Sequence, residues 1–146
     1  MDEKPKITWN ESIRLALSDV DETIAEVYSP AEPEMIHELS SFLQDGHKLF
    51  IVTGGSLKRV RTDITDRLAV ELRKDILVSH CSGAEVWGFT ETGELRPQPF
   101  YSVYDETFDD AMKQSWREIV EQLVSEFGLR PHPAQSKIKF WETVGR

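Results

Sequence analysis

The chain has a single cysteine, Cys81, in 146 residues. That excludes an internal disulfide framework and fits a reducing cytoplasm, the compartment expected here. No apolar run approaches the ~20 residues that a membrane-spanning helix needs. The opening residues, MDEKPKITWNES, include no apolar stretch of the kind a secretory signal requires. Positive charge is scarce as well: 17 Lys and Arg stand against 26 Asp and Glu, a formal net charge of −9. A chain of that sign lacks the basic footprint of general nucleic-acid binding, so neither nucleic acid nor membrane is expected as a partner. Low-complexity tracts and internal repeats are missing too. What is present is 39% apolar residues and 10% aromatics, enough for a packed core and against disorder.

The apolar pattern changes along the chain. Residues 1–11 read as a loose leader. In IRLALS, residues 13–18, Ile13, Leu15 and Leu17 alternate with Arg14, Ala16 and Ser18, which predicts a short strand ending at Asp19. A loop with two prolines follows. Met35, Ile36, Leu39, Phe42 and Leu43 then recur at helical spacing, with Pro33 suited to the first turn and Gly46 to the stop. LFIVT, residues 49–53, is a continuous apolar run of the kind buried on both faces of a sheet. Leu57, Val60, Ile64 and Leu68 line one face of a second helix, and Ile76–Val78 is a third strand. Strand–helix–strand–helix–strand is the pattern of a parallel α/β sheet.

After Gly83 the alternation ends. Glu85–Phe89 and Glu94–Arg96 flank Thr92-Gly93, a hairpin turn. Phe108, Met112, Trp116, Ile119, Leu123 and Phe127 trace a long amphipathic helix, and SKIKFW, residues 136–141, reads as one more strand. The expected division is residues 1–84 and residues 85–146, the second part α+β, with Trp87, Trp116 and Trp141 packing its core.

Two segments carry chemistry. Asp19-Val20-Asp21-Glu22-Thr23 lies where an apolar strand ends, and open parallel sheets bind ligands outside the carboxyl ends of their strands. One carboxylate there is a competent nucleophile on phosphorus, and a second can protonate a leaving oxygen and then activate water. Thr53 ends the second strand and precedes Gly54, Gly55 and Ser56. A hydroxyl backed by the N–H groups of a glycine turn entering a helix makes an anion cradle. The plainer readings are an Asx-rich turn for the first segment and a Ser56 helix cap for the second. In a chain of charge −9 a phosphate ester needs local help, and a hard cation such as Mg²⁺ both supplies it and relieves two close carboxylates. The plain reading of Cys81 is a small semi-buried thiol. Its neighbour His80 points to the other face if both lie on an extended strand.

Together, LALSDVDET and LFIVTGGS resemble the first two motifs of the haloacid-dehalogenase-like (HAD) superfamily, an apolar strand ending in Asp-x-Asp-x-Thr and an apolar strand ending in Thr. The single loop and helix between them suit the Cof-like branch, which includes sugar-phosphate phosphatases. Cys81-Ser82-Gly83-Ala84 stands where that branch has Asn-Gly-Ala, and EVWGFTETGEL resembles the hairpin that follows. The resemblance implies a HAD-like Rossmannoid core over residues 1–84 and part of a cap domain over residues 85–146. It also implies Mg²⁺ as cofactor and a small phosphorylated metabolite as substrate. Asp19 would be the nucleophile and a metal ligand. Asp21 would be the general acid/base and give the metal its backbone carbonyl. Thr53 and the Gly54 N–H would bind the phosphoryl group.

The chain departs from the family at several places. Glu22 replaces the commoner Gly, and Gly55 stands where many Cof-like members have Arg. The third-motif Lys and the fourth-motif acidic pair are not found. Asp109-Asp110 reads as the start of a helix, and Lys137 and Lys139 as the wet face of a strand. The expectation is a chain that stops inside the cap and exposes apolar sheet surface, so that it either self-associates as a homo-oligomer or is unstable alone. Alternatives to a phosphatase are a non-catalytic domain that binds phosphate ligands or a partner protein, and a phosphomutase.

Overall fold

The structure, a computed structural model, describes residues 12–129. The leader, the strand expected at residues 136–141, Lys137, Lys139 and Trp141 lie outside the described residues. The chain divides into two compact units, residues 1–101 and residues 102–146.

The first unit is built on a sheet. β1 (Leu15–Ser18), β2 (Lys48–Val52) and β3 (Ile76–His80) run parallel, and β4 (Glu85–Gly88) runs antiparallel to β3. The order is β1-β2-β3-β4-β5, with the two-residue β5 (Tyr101–Ser102) at the division between the units. α1 (Pro33–Gln44) joins β1 to β2, and α2 (Leu57–Asp63) leads from β2 toward β3. The α/β class with a largely parallel sheet is therefore the fold, and the crossovers leave the carboxyl ends of β1, β2 and β3 on one edge.

Each helix begins and ends for local reasons. Pro33 opens α1, where a missing N–H is harmless. Gly46, at φ +83°, turns the chain back toward β2. Ser56 caps α2 by accepting from the Arg59 N–H at 3.3 Å. The helical face expected to run from Leu57 to Leu68 is interrupted. α2 stops at Asp63, Ile64 leaves helical geometry at φ −133°, and a 3₁₀ turn covers Thr65–Arg67. Ile64 and Leu68 are buried all the same.

Alternation along the strands decides what is covered. Ala16, Leu49, Ile51, Ile76 and Val78 share one face, and they pack with Leu43, Leu57, Val60, Ile64 and Trp87 into one apolar core. The opposite face is open among the described residues: Leu17 is 65% exposed, Leu15 47%, Val52 38% and Leu77 37%. The expectation that the 49–53 run is buried on both faces fails here, because the helices and Trp87 pack with one face of β2 only. The expected hairpin after Gly83 forms in part: the Thr90 N–H donates to the Glu94 carbonyl at 2.8 Å and Phe89 bridges Leu95 across Gly93.

In the second unit, α3 (Val103–Thr107) precedes α4 (Asp110–Glu126). The helix expected from Phe108 starts later because Phe108 is extended and Asp109 caps α4, accepting from the Met112 N–H at 2.8 Å. Met112, Trp116, Ile119, Leu123 and Phe127 form a largely exposed stripe on or just beyond it. Trp116 therefore does not pack a core among the described residues, whereas Trp87 does, in the first unit. No helix of the described residues is long and apolar enough to cross a membrane.

Candidate active site at the carboxyl edge of the sheet

The loop after β1 is pinned from beneath. Val20, Ile24 and Ala25 are buried, and the Val20 carbonyl accepts from the N–H groups of Thr23, Ile24 and Ala25 at 3.3, 3.0 and 3.0 Å. The Glu22 N–H donates to the Ala25 carbonyl at 2.7 Å, with Glu22 itself at φ +58°. Apolar side chains at positions 20, 24 and 25 anchor the turn, so Asp19 and Asp21 stay on its outer side. Asp19 is exposed, and its Oδ1 accepts from the Val20 N–H at 2.7 Å.

Asp21 is half-buried and paired. Arg59, from the first turn of α2, donates through Nη2 to Oδ1 at 2.7 Å and through Nη1 to Oδ2 at 3.4 Å. The same guanidinium reaches Asp63 at 3.4 Å and lies 5.1 Å from the centre of the Tyr28 ring. The Arg59 hydrogen bond, its charge and the Tyr28 N–H hold the Asp21 carboxyl below its ordinary value, against a smaller opposing effect of burial. Hydrogen bonding to Asp21 raises Arg59 in turn.

The turn after β2 is stitched to the end of β3. The Thr53 N–H donates to the Ser79 carbonyl at 2.9 Å, Ser82 N–H to the Thr53 carbonyl at 3.1 Å, and Cys81 N–H to the Gly55 carbonyl at 3.0 Å. Thr53 is 4% exposed, and its hydroxyl accepts from the Gly55 N–H at 3.0 Å. Gly54 is exposed. A Cβ on Gly55 would stand 3.4 Å from the Thr53 hydroxyl and 3.7 Å from Arg59 Nη1, ordinary contact distances that show how near the guanidinium lies to the turn.

Ser18 pairs with Ile51, so the next step along β1 sets Asp19 level with Val52, one residue before Thr53. The parallel register thus brings both expected segments to one edge, and Arg59 links them. In sequence, Lys58, Arg59 and Arg61 suit either a small positive rim near the glycine turn or the wet face of an amphipathic helix. The usable signal for Arg59 was its place three residues after the Ser56 cap, where the first turn of α2 opens on the edge that carries the Asp loop. Among the described residues no group of three or more His, Cys, Asp or Glu is placed to hold a metal ion.

No family model matches the chain, and no curated protein does. Solved structures do. The IMP-bound, N-terminally truncated IMP-nucleotidase of Plasmodium falciparum is 18% identical over 80% of this chain and 36% of its own, with a TM-score of 0.47. A phosphatase of the haloalkanoate (HAD) enzyme superfamily from Bacteroides thetaiotaomicron is 21% identical over 86% of this chain and 40% of its own, also with a TM-score of 0.47. The chain spans well under half the length of these structures. At that level of likeness, the reading of the site rests on the geometry of this chain.

Proposed function

We propose that residues 12–101 carry the phosphoryl-transfer edge of a HAD-type phosphatase that hydrolyses phosphoric monoesters of small metabolites, sugar phosphates above all. The observation that carries this reading is the convergence of the Asp19–Asp21 loop and the Thr53–Gly55 turn on one carboxyl edge, bridged by Arg59 and Asp21 at 2.7 Å.

Asp19 is the nucleophile: exposed at the strand end, its carboxylate attacks phosphorus and forms an aspartyl-phosphate. Asp21 protonates the leaving oxygen and then, as a carboxylate, activates water. Paired with Arg59, Asp21 rests in its base form. Delivering a proton therefore requires the guanidinium to move from Asp21 to the incoming phosphoryl group. Arg59 then supplies the cation that Gly55 lacks, and the Thr53 hydroxyl and Gly54 N–H orient the phosphoryl oxygens. The donor set is hard oxygen, which suits Mg²⁺ held by one or two carboxylates together with substrate phosphate. Asp19 and the Asp21 carbonyl would hold the ion, which when bound offsets negative charge at the transferring group.

The test is Mg²⁺-dependent phosphate release from an aryl phosphate and a panel of sugar phosphates, with Asp19→Asn as control. Release lost in the control supports the assignment; an active Asp19→Asn protein sinks it. The Arg59 lock on Asp21 favours a second reading, a domain that binds phosphate without turning it over. Saturable phosphate binding by folded protein with no release would select that reading. A phosphomutase shares the first step and is separated by product analysis.

A further inference from the structure

The same edge of the sheet carries a second group of reactive side chains. Sequence alternation would send His80 and Cys81 to opposite faces, but they meet. His80 is the last residue of β3, and Cys81 leaves the strand at φ +50°, followed by Ser82 at φ +58°. That left-handed turn swings the thiol back over the imidazole. His80 Nδ1 lies 3.1 Å from Cys81 Sγ, and His80 Nε2 lies 3.0 Å from Glu85 Oε2. The Trp87 indole N–H donates to the same Glu85 oxygen at 2.9 Å, which holds the carboxylate in place.

The chemistry assigns the proton. An ionised carboxylate only accepts, so Nε2 carries the hydrogen and Nδ1 presents its lone pair to the thiol. His80 is 8% exposed, whereas Cys81 is exposed. A nucleophile open to solvent, a buried base in contact with it and a carboxylate orienting that base are the parts of an activated thiol.

We propose that Glu85, His80 and Cys81 form a base-assisted thiol site, separate from the Asp19–Asp21 loop though on the same edge of the sheet, that is modified covalently by small soft electrophiles. In the step, Cys81 Sγ bonds to the electrophilic carbon, the leaving group departs with its electron pair, and the thiol proton passes to His80 Nδ1. Glu85 stabilises the imidazolium. An adduct there sits one hydrogen bond from the glycine turn, since the Cys81 N–H donates to the Gly55 carbonyl. Partial burial first, and the Glu85 charge second, push the resting thiol up, so it waits protonated and depends on the imidazole. Of the groups around the pair, Glu85 comes from β4, while the contact from the β2–α2 turn is the uncharged Gly55 carbonyl.

The probe is iodoacetamide, and the single cysteine makes the labelled position unambiguous. The rate is followed from about pH 5 to 10. With His80 as base, the wild-type rate already rises at pH values below those at which an unassisted thiol ionises, about 8.5. His80→Gln, confirmed folded by near-UV circular dichroism, should label about tenfold more slowly at pH 7, its inflection moving above the ordinary thiol value of about 8.5. A wild-type profile that inflects only above about 8.5, or a His80→Gln profile that superimposes on wild type, overturns the proposal. If the variant does not fold, the wild-type profile decides alone.

Discussion

The two ends of the parallel strands are built differently. At the amino end of β2 the chain turns on Gly46, which takes φ +83° without a side chain to object. The ion pair near that end, Lys48 with Asp75 at 3.7 Å, is loose, and the Lys48 side chain is 67% exposed. Past the carboxyl ends, Glu22, Tyr28, Cys81 and Ser82 all take positive φ, and they are the only non-glycine residues among those described to do so. The ion pair there is Arg59 with Asp21 at 2.7 Å, both partly shielded. The amino end of β2 turns on glycine alone, whereas past the carboxyl ends Gly83 at φ +92° is joined by four non-glycine residues that retain positive φ. Retained strain concentrates where a fold must aim side chains, so the contrast itself points to the carboxyl edge as the working end.

The most drastic way to test the contrast is Asp19→Asn. If the carboxyl edge works as proposed, phosphate release falls at least about 10³-fold while thermal stability stays near wild type. Ile51→Ala, under the edge and 0% exposed, should do the converse and lower unfolding free energy by about 2–5 kcal/mol in a denaturant titration. Comparable loss of stability from Asp19→Asn would make that residue structural.

Smaller effects sharpen the comparison of the turns. Gly46→Ala meets no atom within 4 Å, so its expected cost of about 1 kcal/mol comes from backbone strain alone. Ser82→Gly should run the other way and stabilise by up to about 1 kcal/mol, because glycine accepts φ +58° freely. A destabilised Ser82→Gly would mean the side chain, and not the strain, matters there.

The smallest expected effect is the acid leg of stability. Asp21 is depressed in the folded chain, so its contribution is complete above the unfolded carboxylate value of about 3.9 and is lost as pH falls through the folded value. Arg59→Met should flatten that fall below about pH 4, and Lys48→Ala should leave it unchanged. Equal acid profiles for the two variants would remove the distinction between the two ion pairs.

Legibility followed the range of the interaction. Pro33, Gly46 and Ser56 announced helix boundaries because caps and stops act within one turn. Asp19, Asp21, Thr53 and Gly54 were picked out because apolar strands ended beside them. The sharp end of α2 at Asp63 was not visible, since Leu57, Val60, Ile64 and Leu68 keep a helical rhythm that a 3₁₀ turn also satisfies. The open face of β2 was invisible too: LFIVT is equally apolar whether one face is covered or two.

By itself the sequence determined the alternation of strands and helices, the places where the strands stop, and the residues standing at those stops. These follow from periodicity and from the conformational limits of proline and glycine, which are properties of neighbouring residues. Only the tertiary structure decided which stops meet. The parallel register set Asp19 and Thr53 on one edge, the first turn of α2 carried Arg59 onto Asp21 38 residues earlier, and the left-handed turn at Cys81 laid its thiol against His80. Such contacts depend on strand register and on single backbone dihedrals, and side-chain spacing along the chain encodes neither.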